Sequence, residues 1–103
     1  MGQFNNGANK MTKNKTLLRF RIYDGDREYT DYAIIDNKKL LTLNYKEIIS
    51  VFFYDDKIDD EQFLSDGRAV RIESEIPITD TEAEKLERLS IAFLLEFKLM
   101  EVA

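Results

Sequence analysis

The side chains with most scope for chemistry in this sequence are carboxylates, and they cluster in two places. Asp24, Asp26, Glu28 and Asp31 are interleaved with Tyr23, Tyr29 and Tyr32, while Asp55, Asp56, Asp59, Asp60, Glu61 and Asp66 stand against a lone Lys57. Clustered acids suit three chemistries: binding a hard cation, paired acid and base catalysis, and recognition of a basic partner. A calcium loop places oxygen ligands at alternating positions, with a glycine at the sixth and a closing glutamate. The 55–66 run has no D-x-D-x-D-G order, lacks that glycine and ends on Asp66, so it reads as a solvated acidic loop. Asp24-Gly25-Asp26 is explained by turn geometry. No metal and no cofactor is expected.

Paired carboxylates catalyse when an apolar pocket raises the pKa of one and leaves the other ionised. Glu73 and Glu75 fall on the polar side of their predicted strand with Arg71, and nothing in the pattern buries any acid. The 103 residues include no cysteine and no histidine, which removes the usual zinc sites, disulfides, thiol nucleophiles and Ser-His dyads. No glycine-rich phosphate loop or nucleophile elbow occurs either. The expectation is a protein that is not an enzyme and has no catalytic residues.

Recognition is the chemistry left. Tyrosines supply rigid amphipathic area and carboxylates steer a basic partner, although strand propensity accounts for the tyrosines equally simply. The candidate partner-binding residues are therefore Tyr23, Asp24, Asp26, Glu28, Tyr29, Asp31 and Tyr32, with Asp55, Asp56, Asp59, Asp60 and Glu61.

These residues must be positioned by a small set of elements. Residues 16–23 alternate, with Leu18, Phe20 and Ile22 on one side and Leu17, Arg19, Arg21 and Tyr23 on the other, which is a strand with one buried face. A second strand over 28–36 follows the Asp-Gly turn as an antiparallel hairpin. Residues 40–43 form a short strand or lead into a helix. Asn44 and Glu47 make a capping-box pattern for a helix over 45–54, with Tyr45, Ile48, Ile49, Phe52 and Phe53 on its apolar face; a strand there is the alternative, since Val51 falls off that face. Phe63 and Leu64 suggest one helical turn inside the acidic loop. Residues 68–78 alternate again, with Val70, Ile72, Ser74, Ile76 and Ile78 on one side and Pro77 marking an end or an edge.

Thr79 or Thr81 caps a last helix running over 80–101. Its apolar surface is unusually wide, because Ile91, Ala92, Leu94, Leu95 and Leu99 add to the stripe of Ala83, Leu86, Leu89, Phe93, Phe97 and Met100. A helix that is apolar on most sides must be covered on most sides. Burial in a sheet groove and a homodimer interface through Ile91, Leu94, Leu95 and Leu99 follow equally well. The order is α+β: a small, mainly antiparallel sheet of three to four strands with helices on one face.

Composition bounds the rest. Apolar residues make up 44% and charged residues 34%, enough for one packed domain with a solvated exterior. Fifteen basic and twenty acidic residues give a formal charge of -5. Residues 1–15 hold three lysines and no acid, so residues 16–103 carry twelve basic and twenty acidic side chains, a net -8. A flexible basic tail over 1–15 thus precedes an acidic domain over 16–103, and Met11-Thr-Lys-Asn-Lys reads equally well as a start. Neither an export signal nor a bilayer-length apolar run is present, so a cytoplasmic location without membrane contact is expected.

The leading functional expectation is a small acidic regulator or inhibitor that binds a basic protein surface. One form of it is a nucleic-acid mimic that occupies the channel of a nucleic-acid-handling enzyme, a profile of size and charge shared with small phage-type anti-defence proteins. The alternative is a homodimeric assembly protein built on the C-terminal helix. A weaker third reading is single-stranded nucleic-acid binding through Arg19, Arg21 and the tail, which the acidic domain opposes.

Overall fold

The computed structural model describes residues 12–94. Two strands, β1 (Lys15–Asp24) and β2 (Arg27–Asp36), form the expected hairpin, in continuous register from Asp24 opposite Arg27 to Lys15 opposite Asp36. Gly25 takes the positive φ, 65°, at the first central position of the turn. That matches the type II′ pattern, in which only the first central residue needs glycine's freedom. Alternation along β1 sends Leu18, Phe20 and Ile22, all fully buried, to one face of the sheet, and Leu17, Arg19, Arg21 and Tyr23 to the other.

Residues 40–43 form no strand. Asp36 caps a single helical turn, α1 (Asn37–Leu40), by accepting from the Lys38 N–H at 2.8 Å. The next helix, α2 (Tyr45–Phe53), is the one its periodicity predicts. Asn44 and Glu47 close a reciprocal capping box, and Tyr54 ends the helix in the left-handed conformation at φ 52°. Its buried face, Ile48, Ile49 and Phe52, covers Leu18, Phe20 and Ile22 of the sheet. The Phe20, Phe52 and Phe53 rings meet with centroids 4.5 to 5.8 Å apart, the tilted and edge-on spacings that aromatic pairs favour.

The third strand corrects the sequence pattern. β3 (Ala69–Ile78) pairs antiparallel with β1, but Ile72 lies opposite Phe20 while Ser74 lies opposite Arg19. Glu73 is therefore an extra residue, a bulge that reverses the facing of everything after it. Val70 and Ile72 belong to the α2 face, whereas Ser74, Ile76 and Ile78 cross to the opposite one. Glu75 moves to the α2 side, where the Tyr45 hydroxyl donates to its carboxylate. A single uninterrupted apolar face over 70–78, as the alternation suggested, does not exist.

The last expected element is corrected as well. Thr79 and Glu82 close a capping box on α3 (Asp80–Arg88), but the helix stops at Arg88. Ser90 adopts φ 58°, the Ile91 and Ala92 N–H groups turn back onto Leu86 O at 3.0 and 3.4 Å, and β4 (Phe93–Leu94) pairs in parallel with Ala33–Ile34. An uninterrupted apolar run has no polar side to show water as a helix, and the sheet edge beside Ile34 accepts its backbone directly. The remainder of the predicted 80–101 helix lies outside the described residues.

The sheet order is β3-β1-β2-β4, three antiparallel strands with a short parallel addition, in an α+β domain. Its helices do not share a face, contrary to expectation. Ala83 and Leu86 of α3 pack with Leu17, Tyr32, Ile34, Ile78 and Ala92, and Leu17 and Ile34 point away from α2. The bulge makes this second small core by delivering Ile78 to it. No described helix is long and apolar enough to cross a membrane.

Candidate protein-recognition surface

The half of the α3 face that α3 leaves uncovered is polar. Arg21 meets both carboxylate oxygens of Glu73 at 2.9 Å and Glu28 at 2.9 Å, opposite-charge pairing across neighbouring strands of a solvated face. The Glu73 contact raises the Arg21 pKa, and Arg21 lowers that of Glu73. Arg19 stacks over the Tyr32 ring at 5.7 Å, and its Nε is buried, as is the Ser74 hydroxyl opposite, without a hydrogen-bond partner. Arg21 is thus committed within the sheet, which leaves the single-stranded nucleic-acid reading without one of its two strand arginines.

In the acidic loop, carboxylates build the backbone. Asp55 accepts from the Ser65 N–H and hydroxyl, both at 2.7 Å, and from the Lys57 N–H at 3.0 Å. These bonds hold its pKa below the ordinary carboxylate value. Asp59 accepts from the Glu61 and Phe63 N–H groups at 3.0 and 2.9 Å, and Asp66 binds the Arg68 N–H and Nε at 3.1 and 2.8 Å. Asp60 pairs with Lys46 at 2.9 Å. Ile58 and Leu64 pin the loop to the core. The expected helical turn at Phe63–Leu64 is absent: Gln62 sits at φ 67° and Phe63 bridges Ala69 as an added antiparallel residue.

That bridge creates the site. Glu28 lies opposite Tyr23, Tyr23 opposite Ala69, and Ala69 opposite Phe63. Directly opposed residues in an antiparallel sheet share a face, so the four form one row across it. The small Ala69 is the floor between two rings, Tyr23 and Phe63, that are 38% and 40% exposed. Their backbones stand two strand spacings apart, roughly 9.5 Å, room for one flat or slender group. Asp60, Glu61, Gln62 and Arg71 complete the recess.

Of the candidate recognition residues, the structure brings Tyr23, Asp60 and Glu61 together here. Asp24 and Asp26 sit exposed at the adjoining hairpin tip, and Asp56 is exposed further along the acidic loop. Glu28 shares the row but holds Arg21. Tyr29 faces the α2 side, where its oxygen accepts from Arg68 at 2.9 Å; Arg68 also lies 5.5 Å over the Phe53 ring. Asp31 is half-buried and accepts from the Tyr32 N–H at 3.1 Å, while Tyr32 packs in the second core. Asp55 and Asp59 maintain the loop. Phe63 and Arg71 were missed, because only a backbone bridge with no periodic signal carries Phe63 onto the sheet. Of the candidate dimer residues, Ile91 is 46% exposed in the turn after α3 and Leu94 belongs to β4, while Leu95 and Leu99 lie outside the described residues. Comparison with family models, curated proteins and solved structures finds no match to this chain.

Proposed function

We propose that this chain is a non-enzymatic protein-recognition module, an acidic regulator or inhibitor whose partner presents a basic surface. The observation that carries the reading is the row Tyr23–Ala69–Phe63, which joins the hairpin and the acidic loop in one recess. Half-exposed aromatic rings around a small floor supply the anchoring pocket of a protein interface. The surrounding acids supply long-range attraction from a domain of net -8.

The loop chemistry supports the same reading. Asp55 and Asp59 accept from backbone donors and hold the loop in one conformation, so the exposed Asp56, Asp60 and Glu61 are presented without a further ordering cost. Fixed carboxylates of this kind suit imitation of a phosphate chain in a nucleic-acid-handling enzyme, the concrete form we favour, in the cytoplasm. Every described carboxylate with a displaced pKa, namely Asp55, Glu73 and Glu82, is displaced downward. A general acid at neutral pH needs the opposite shift, which favours binding over catalysis.

The test is affinity capture from the source organism's lysate with and without nuclease treatment, followed by variants. Phe63→Ala, and Asp56→Lys with Glu61→Lys, should each abolish capture of a specific basic protein while the chain stays folded. Capture that survives both sets, or that vanishes with nuclease alone, sinks the reading.

A further inference from the structure

We infer that two copies of this chain pair through the outer edge of β2, with a two-fold axis at Tyr29. Among the described residues, β2 has a neighbour on its outer side only at Ala33–Ile34, where β4 lies. The edge from Arg27 to Tyr32 is unpaired, and Arg27, Glu28 and Thr30 are exposed. It contains no proline, glycine or lysine. The other edge of the sheet is defended: Phe63 already bridges Ala69 at one end, and β3 carries the Glu73 bulge and Pro77, devices that block edge pairing. Among the described residues, only the β2 edge is left open to a strand.

Hydrogen-bond direction and charge then select one register. The two-residue turn makes Asp24 and Arg27 a mutually bonded pair, so Arg27, Tyr29 and Asp31 bond inward to β1. Glu28, Thr30 and Tyr32 aim their N–H and C=O groups outward. The Asn37 N–H bond to Asn14 O, 3.0 Å, continues the same alternation at the far end of the hairpin. An antiparallel partner must set outward residues opposite outward residues, which confines the two-fold to a residue position. An axis at Arg27 or at Glu28 opposes like charges. An axis at Thr30 sets Arg27 of the second copy opposite Ala33, the place Phe93 already occupies.

The axis at Tyr29 meets neither obstacle. Glu28 and Thr30 exchange backbone hydrogen bonds across the interface, Tyr29 faces Tyr29, and Arg27 faces Asp31 twice. Aromatic pairs and opposite charges are the favourable cross-strand contacts. The partner's hairpin tip also ends in step with the edge, since its Asp26 reaches Tyr32, one residue short of β4. This interface is separate from the Tyr23–Phe63 recess, which lies toward β3, so either can fail without the other.

Sedimentation equilibrium of the full chain over a wide concentration range, with circular dichroism to monitor folding, tests the pairing. A reversible monomer–dimer equilibrium is expected for the natural chain. Thr30→Pro removes an outward donor and should leave a folded monomer. Arg27→Glu and Asp31→Arg should each weaken dimerisation by about tenfold, since two symmetric pairs are lost, and the double variant should restore it. A chain that is monomeric at every concentration overturns the proposal. A dimer indifferent to Thr30→Pro, or a folded double variant that is not restored, overturns it equally.

Discussion

Asp55 holds both the backbone N–H and the hydroxyl of Ser65 at 2.7 Å, ten residues along the chain, and so closes the acidic loop on itself. The carboxylate that looks most available for an outside ligand is spoken for by the loop's own donors. Its pKa is lowered first by the Ser65 backbone bond, then by the Ser65 hydroxyl and the Lys57 N–H. A lowered folded-state pKa means the contribution is complete above the unfolded carboxylate value of about 3.9 and is lost as pH falls through the folded value. Protection of the Ser65 and Lys57 amides from hydrogen exchange, taken relative to the intrinsic rate at each pH, should therefore be high at neutral pH and fall in acid below pH ~4. Asp55→Asn should lower that protection at neutral pH and leave it nearly indifferent to acid. Unchanged protection in that variant would refute the closure.

The Glu73 bulge predicts opposite outcomes for deletion and insertion. Glu73→Ala loses an exposed ion pair with Arg21 and should barely move the denaturation midpoint. Deleting Glu73 removes the extra residue, leaves Ser74, Ile76 and Ile78 on the α3 face, and should be tolerated. Inserting one alanine between Ser74 and Glu75 throws Ile76 and Ile78 onto the α2 face instead, and losing the burial of Ile78 alone should destabilise by about 2 kcal/mol or more in urea unfolding.

Two phenylalanines distinguish core from surface. Phe20 is fully buried beneath Phe52 and Phe53, and Phe20→Ala should cost about 3–5 kcal/mol. Phe63 is 40% exposed, so Phe63→Ala should cost no more than about 1 kcal/mol. A loss at Phe63 as large as at Phe20 would show it to be a structural residue and remove it from the recognition surface.

The end of α3 can be tested by the sign of one substitution. Ser90 lies at φ 58°, where a side chain costs about 1 kcal/mol and glycine costs nothing. Ser90→Gly should therefore raise stability by about 0.5–1 kcal/mol in thermal or urea unfolding. A helix continuing through residue 90 would instead lose about 1 kcal/mol on the same change.

The Asn44–Glu47 and Thr79–Glu82 capping boxes, the alternation of β1 and the Asp-Gly turn were all legible, because each depends on residues within a few positions of one another. The same local logic failed wherever a distant partner decided the outcome. Alternation over 70–78 looked unbroken, yet β1 offers an apolar face beside Phe20 and a separate apolar corner beside Leu17, and only a bulge lets one strand serve both. The helical period after Thr79 continued on paper to residue 101, yet the β2 edge at Ala33–Ile34 offered the apolar run a backbone ladder that a lone helix lacks. By itself the sequence determined the β1–β2 hairpin, α2, the two capping boxes and an acidic exterior, since propensity, periodicity and charge are properties of neighbouring residues. Tertiary structure alone decided which carboxylates face outward and that Tyr23 and Phe63 flank Ala69. A row across a sheet is made by strands meeting side by side, and no spacing along the chain encodes it.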